Sequence, residues 1–229
     1  MALCATKVSV HHTRTTGYPI VHAALGQASY FPVAMANDPL DLDPKSRLEP
    51  ARGRLLISEP YLPDPYFRRT VVLLCDHNEE GSFGFVLNRL TDMGVNDLLE
   101  NLPLLGAPVG IGGPVMSSNL YYIHTLGDRL EGSQAVVDGV HVGGDFEQLR
   151  NLLATDPRLT KHVRFFVGYS GWDKDQLDKE LSERSWLVAK ATKKRIMDVK
   201  SQDLWGDSLR DMGRSFAPLA NFPDDPTLN

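Results

Sequence analysis

Cysteine is scarce in this chain of 229 residues, which contains only two, Cys4 and Cys75. Two cysteines cannot build the disulfide framework of a small secreted domain, and no CxxC pair indicates a zinc or redox motif. We therefore expect reduced thiols and a cytoplasmic setting. No motif in the sequence predicts a cofactor or a bound metal.

Long apolar runs are missing as well. No stretch approaches the ~18–20 uninterrupted apolar residues that a membrane-spanning helix needs. The overall composition, with 42% apolar and 23% charged residues, is typical of a globular protein. We therefore expect a folded domain without membrane association.

An excess of positive charge is also absent. The chain has 24 Lys and Arg residues against 29 Asp and Glu, a formal net charge of −5. A negatively charged protein is repelled by phosphate backbones, and the sequence has no helix-turn-helix or zinc-finger spacing. Direct binding of nucleic acid is therefore disfavoured.

The first fifth of the chain has no sustained periodicity, and we interpret residues 1–50 as a flexible extension. Residues 19–36 loosely imitate a secretory signal that ends in small residues. Prolines such as Pro32 interrupt that stretch, so secretion is the less favoured interpretation. The alternative is that Met35 is the physiological start.

Regular patterns begin at Gly53. Strands and helices alternate irregularly and the strands are mostly adjacent in sequence, which favours one α+β domain over 51–215, followed by a C-terminal tail at 216–229. Short apolar runs predict strands at 53–58, 70–76, 82–88, 108–113, 119–125, 163–170 and 185–191, with two more around Gly139. Helices are predicted at 96–102, after capping boxes that begin at Asp145 and Asp173, and at 201–213.

A polar segment, His77 to Gly81, separates two of these strands. Its five residues end in glycine, which takes positive φ without steric cost, and Asn78 can bond its own backbone. These features are typical of a hairpin connection. We interpret the segment first as a turn between paired strands.

The same region contains a candidate catalytic group. Period-two alternation places Cys75 and His77 on one strand face, about 6.6–7 Å apart between Cα atoms, and His124 would be a third member. Such a set suggests a thiolate–imidazole pair or a metal site. A cysteine that follows four aliphatic residues also fits a buried small hydrophobe, which is the favoured interpretation. An enzyme that uses these residues stays as the alternative.

A strand–turn–helix pattern at 163–176 resembles the nucleophile elbow of hydrolases, which requires G-x-S-x-G. Here Trp172 occupies the position of the last glycine, two residues after Ser170. We therefore expect a glycine-hinged turn with Trp172 packed on the core, and no nucleophile at Ser170.

A site for a small anion is a further hypothesis, because arginines bind carboxylates and phosphates. The groups that would converge at one end of the sheet are Arg68-Arg69, Asn88-Arg89, His124 and the turn Gly112-Gly113-Pro114. The candidate ligand-binding residues are Asn78, Arg89, Gly112 and Gly113.

The chain resembles the AlgH/YqgE family. The resemblance rests on "GRLLISEPYLPDPYFRRTVVLLCDHNEEGSFGFVLNR" followed by "GGPV", "YYIHT" and "GYSGWDKDQLDKEL", and it spans about 53–215. It implies a mixed, branched sheet that is partly rolled into a small barrel and flanked by helices. Members are bacterial and are often labelled transcriptional regulators, and the resemblance brings no catalytic residues. We therefore expect a binding or regulatory module that acts through another protein or a small anionic ligand.

Overall fold

The computed structural model describes residues 48–100, 102–199 and 203–223, and a mixed ten-stranded sheet dominates it. The strands are β1 (Arg54–Ser58), β2 (Val71–Asn78), β3 (Gly81–Val86), β4 (Leu90–Gly94), β5 (Pro108–Ile111), β6 (Val115–His124), β7 (Gln134–Val137), β8 (Val140–Val142), β9 (Val163–Asp173) and β10 (Trp186–Lys190). The helices are α1 (Val95–Leu98), α2 (Phe146–Thr155), α3 (Gln176–Ser182), α4 (Lys193–Met197) and α5 (Leu204–Asp211), with 3-10 turns at Gly127–Arg129, Pro157–His162 and Ala217–Asn221. Within the described ranges, no helix has the length and apolarity that crossing a membrane requires.

The sheet branches at β9. Its main path runs β10-β1-β2-β3-β9-β6-β8-β7, and every neighbouring pair on this path is antiparallel. β9 also pairs in parallel with β5, which carries β4 on its other side. The mixed, branched α+β arrangement that the resemblance implied is therefore present.

The small barrel that the resemblance implied is wrong, because the sheet does not close. Among the described residues β7 forms a ladder only with β8, and β10 only with β1. The start of β1 nevertheless comes close to β7, since a Cβ built on Gly53 would lie 2.5 Å from the Val136 carbonyl oxygen. That approach is a backbone contact without a ladder, so β10, β7 and the branch strand β4 are edge strands among the described residues.

Both faces of β2 are buried, and this explains its continuous apolar sequence. Val71, Leu73 and Cys75 face a core cluster that also contains Phe85, while Val72 and Leu74 face a second cluster. A strand covered on both faces does not need to alternate apolar and polar residues.

The two predicted capping boxes are each half formed. At α2 the Asp145 side chain accepts a bond from the Gln148 backbone N–H (2.9 Å), but the Gln148 side chain accepts from Glu131 instead of reaching back. At α3 the helix begins later than predicted, because Asp175 takes a left-handed conformation with φ 62°. There the Gln176 side chain accepts from the Asp173 N–H at 3.0 Å.

Two predicted segments differ from the structure. The helix predicted at 96–102 is the single turn α1, because the Asn96 side chain bonds Pro103 O and Leu105 N and closes a loop. The predicted C-terminal tail begins too early, since Phe216 and Leu219 are buried. Strand β4 and helix α4 were not predicted. The expectations for residues 1–47 of the N-terminal extension, including Met35, and for 224–229 lie outside the described residues.

Candidate functional site: an arginine cleft

An open cleft of about 320 Å³ lies where β2 begins and β3 ends. Antiparallel pairing of the two strands brings the residues before β2 next to the residues after β3. We call this feature the arginine cleft, and its lining residues are Pro65, Arg68, Arg69, Asn88 and Arg89. The structure therefore brings together the two arginine-containing pairs of the anion hypothesis.

The Asn88 side chain fixes the backbone on one side of the arginine cleft. Its Oδ1 accepts from the Val71 N–H at 3.0 Å, and its Nδ2 donates to the Arg69 carbonyl at 2.8 Å. The amide thus extends the β2–β3 pairing past the last ladder pair, Val72–Val86. Because both ends of the amide are engaged, Asn88 positions the backbone of the arginines and offers little to a ligand.

The guanidinium groups of Arg68 and Arg89 give the cleft its positive charge. Arg89 Nη2 donates to the Arg68 carbonyl at 2.9 Å, and both side chains are exposed. In the part of the chain that the structure describes, neither guanidinium forms an ion pair with a carboxylate. An arginine has five N–H donors, so most of the donors of Arg89 stay available to a ligand.

Tyr66 is part of the same neighbourhood, although no sequence pattern indicates it. Burial raises the pKa of the Tyr66 hydroxyl, and the positive charge of Arg89 partly offsets that rise. The hydroxyl therefore stays protonated at neutral pH, and the positive field of Arg89 extends to it. Tyr66 and Pro65 come from the loop that precedes β2, whose path the sequence does not indicate.

The glycines of the anion hypothesis lie outside the cleft lining, although Ile111 N–H bonds the Arg89 carbonyl at 2.9 Å nearby. Gly112 and Gly113 are both buried, and a Cβ on Gly113 would lie 2.0 Å from the Tyr169 carbonyl carbon. These positions need glycine because two backbones approach closely there. In the structure Gly112 faces the Gly168 backbone and the Phe85 ring, and Gly113 faces the backbone of Tyr169.

Cys75 is buried in the core, with 1% of its surface exposed. It occupies an irregularity of the β2–β3 ladder between Leu74 and Asp76, and its Sγ lies 3.8 Å from the Leu73 carbonyl oxygen. Burial raises the pKa of the Cys75 thiol well above its ordinary value. A neutral, enclosed thiol is a poor nucleophile and a poor metal ligand.

His77 and Asn78 belong to the hairpin end, away from the Cys75 environment. His77 is half-buried and its Nδ1 lies 2.7 Å from Ser82 Oγ across the strand pair. Asn78 Oδ1 accepts from the Glu80 N–H at 2.8 Å, as expected of a residue that initiates a turn. Both side chains therefore stabilise the β2–β3 connection.

His124 lies fully buried at the end of β6, where it stacks on His141 with ring centroids 5.5 Å apart. Its Nε2 donates to the Gly143 carbonyl (3.0 Å), and its Nδ1 accepts from the Leu126 N–H (3.2 Å). Burial lowers the pKa of His124 to about 4. Over the described ranges no group of three His, Cys, Asp or Glu residues is placed to hold a metal ion.

Ser170 is also enclosed. Its hydroxyl donates to the Gly112 carbonyl at 3.0 Å and none of its surface is exposed. Trp172 packs on the core as expected, and its indole N–H donates to Glu180 at 2.9 Å. The glycine-hinged turn expected here is wrong, because β9 continues to Asp173 and pairs Gly171 with Phe83 and Trp172 with Ser82. The segment is a continuous strand that packs on the core.

A comparison with family models finds that residues 55–217 match the family described as AlgH-like. A relative from Cytophaga hutchinsonii, named only as a UPF0301 protein, is 41% identical over 180 residues, 78% of this chain and 98% of the relative. A UPF0301 protein from Bacteroides thetaiotaomicron is 38% identical over 181 residues, 79% of this chain and 92% of the relative.

Two solved structures share the fold. The solution structure of the AlgH protein from Pseudomonas aeruginosa superposes with a TM-score of 0.61 at 23% identity, covering 77% of this chain and 97% of that one. A crystal structure of a protein from Corynebacterium diphtheriae gives 0.65 at 23% identity, covering 77% and 94%. At this level of identity the likeness concerns the fold alone.

Proposed function

The chain belongs to the AlgH-like family, and on that premise we propose that it is a non-catalytic binding module whose arginine cleft holds a small anion. One observation carries the proposal: the cleft is lined by Arg68, Arg69 and Arg89, and the exposed Arg68 and Arg89 lack carboxylate partners among the described residues. Like charges held together repel one another, and a bound anion would remove that repulsion.

The size and chemistry of the cleft support a small ligand. A volume of about 320 Å³ is at the lower end of the range for small-molecule sites. Guanidinium groups bind carboxylate and phosphate oxygens through paired, charge-assisted hydrogen bonds. The ligand class we propose is a compact phosphate or carboxylate compound that uses Arg89 and Arg68 as its main contacts.

A regulatory role at this site would be exerted by binding a metabolite or a protein partner and not by direct contact with DNA. The arginine cleft is a small concave site, whereas a DNA-binding surface presents a basic stripe or a recognition helix. The formal net charge of −5 opposes approach to a phosphate backbone. We propose that the protein works in the reducing cytoplasm, where the free thiol of Cys75 would be stable.

Isothermal titration calorimetry with inorganic phosphate, pyrophosphate and citrate, at low ionic strength, tests the proposal. We expect saturable binding of at least one probe by the full chain and a loss of about tenfold or more in affinity for Arg89→Gln, because a charge-assisted bond disappears. Arg129→Gln is the matched control, since it removes an exposed arginine at another turn. Absence of saturable binding, or equal losses in both variants, would overturn the anion site.

A further inference from the structure

Arg69 lies between the arginine cleft and the end of the chain and contributes to both. It is one of the residues that line the arginine cleft. Its guanidinium donates from Nη2 to the Phe222 carbonyl at 2.5 Å and lies over the Trp205 ring, with Cζ 4.6 Å from the ring centroid. Phe222 and Trp205 both belong to the last part of the chain, which we call the C-terminal segment and define as residues 203–223.

The C-terminal segment is docked on the core. Leu204 and Leu209 of α5 are buried, as are Phe216 and Leu219 beyond it, and all four belong to the cluster that lines one face of the sheet. Phe222 stacks on Tyr61, with ring centroids 5.8 Å apart. The loop before β2, which carries Tyr61, Arg68 and Arg69, is therefore covered by the end of the chain.

The backbone of Arg69 is fixed between the cleft and the C-terminal segment. Arg69 has a left-handed conformation with φ 52°, and Asn88 Nδ2 holds its carbonyl. The next residue, Thr70, donates its N–H to Ser58 Oγ at 3.0 Å, and the Ser58 carbonyl accepts from the Trp205 indole at 2.9 Å. A displacement of α5 would thus be transmitted both to the Arg69 side chain and to the backbone that orients it.

We propose that an anion in the arginine cleft and the docking of the C-terminal segment stabilise each other, with Arg69 as the positioning residue that couples them. This inference rests on the proposed function. The docked segment fixes the Arg69 side chain, and the bonds from Asn88 and Ser58 carry that restraint into the backbone that presents the cleft arginines. An anion bound by Arg68 and Arg89 would favour the same backbone conformation that the docked segment favours, so each would stabilise the other.

The coupling must be reciprocal, because two equilibria that share one contact change each other by the same factor. Loosening the C-terminal segment should weaken anion binding, and anion binding should protect the segment from opening. The surface formed by the segment would therefore report whether the cleft is occupied.

The first measurement is hydrogen exchange of the full chain with and without saturating pyrophosphate. We expect exchange of amides in residues 203–223 to slow severalfold when the probe binds, because segment opening is penalised. Residues 146–155 of α2, which pack in a different core cluster, provide the internal reference and should change little.

The second measurement is pyrophosphate affinity in variants. Phe222→Ala removes the stacking on Tyr61 and should weaken binding about tenfold, within the usual range of coupling. Phe146→Ala is the matched control, since it removes a partly buried aromatic that packs on Tyr122 elsewhere. In the Arg69→Gln background, adding Phe222→Ala should cause no further loss, because the coupling residue is already gone.

The outcomes separate the two proposals. If wild-type protein binds pyrophosphate and Arg89→Gln does not, but Phe222→Ala binds normally and exchange in 203–223 is unchanged, the coupling is wrong while the anion site stands. Equal losses in Phe222→Ala and Phe146→Ala also overturn the coupling, since they indicate a general loss of stability. If the wild-type chain binds none of the anions, both proposals fall together.

Discussion

His124 shows how one buried side chain makes the fold sensitive to pH. Burial and the neighbouring His141 lower its pKa from 6.5 to about 4, so the folded protein keeps the ring neutral. In the unfolded chain the ring titrates near its ordinary value. As pH falls from about 6.5 to 4, the unfolded state binds a proton that the folded state does not, and the free energy of unfolding decreases by roughly 3 kcal/mol. Below about pH 4 this contribution levels off.

Urea unfolding at several pH values between 7 and 4 measures this effect. We expect His124→Asn, which removes the titrating ring, to be less stable than wild type at pH 7 but to lose less stability on acidification. His162→Asn is the control, because it removes a half-buried histidine whose ring bonds Thr125 and not Gly143, Leu126 or His141, the groups that hold His124. A wild-type pH slope retained in His124→Asn would show that another group causes the acid sensitivity.

At the scale of elements, the hairpin connection is tighter than its sequence indicates. The polar segment predicts a five-residue loop, but pairing continues through His77–Ser82 and Asn78–Gly81 and leaves only two residues in the turn. An apolar run in the sequence indicates the buried part of a strand, because buried positions favour apolar side chains. The end of a ladder depends on backbone bonds, which polar residues form equally well.

The contrast between burial, which apolar runs reveal, and backbone pairing, which they do not, also explains the other differences between the predicted and the observed elements. Strands with buried apolar runs were predicted, whereas β4 was not, because Leu90 and Met93 are exposed and the strand lies at an edge. For the site, the residues that flank β2 and β3 could be expected to meet once the two strands were paired. His124 lies outside the cleft lining, because its end of β6 pairs with β8. The position of His124 depends on which strands pair, and those strands are far apart in sequence. Local sequence patterns carry no information about that pairing.

Gly81 carries the tight turn, and its replacement should be costly. Its φ is 141°, and a Cβ would lie 2.4 Å from the Trp172 carbonyl oxygen on β9. Gly81→Ala should therefore lower the free energy of unfolding by about 2 kcal/mol or more, through both strain and a backbone clash. Gly132→Ala is the control: its φ is 70°, but no atom lies within 4 Å of the added carbon. The control should cost only about 1 kcal/mol, and equal costs in urea unfolding would show that the turn contact is unimportant.

At the scale of the whole molecule, β9 joins the three core clusters. It contributes Phe166 to the cluster under the C-terminal segment, Phe165 to the cluster packed by α2, and Trp172 to the cluster under α3. It also pairs with β3, β5 and β6. Because neither half of the sheet can separate without breaking β9, the described residues should unfold as one cooperative unit.

Native-state hydrogen exchange in low denaturant tests this cooperativity. We expect the β9 amides at Phe165, Phe166 and Trp172 to exchange with one common free energy, equal to that of global unfolding, because every opening that exposes them disrupts all three clusters. The amide of Met93 on β4 should exchange through smaller openings, since β4 pairs only with β5 and β5 lies on the branch. If Phe165 exchanged through a smaller opening than Trp172, the part of the sheet packed by α2 would unfold separately, and β9 would be a hinge between two units.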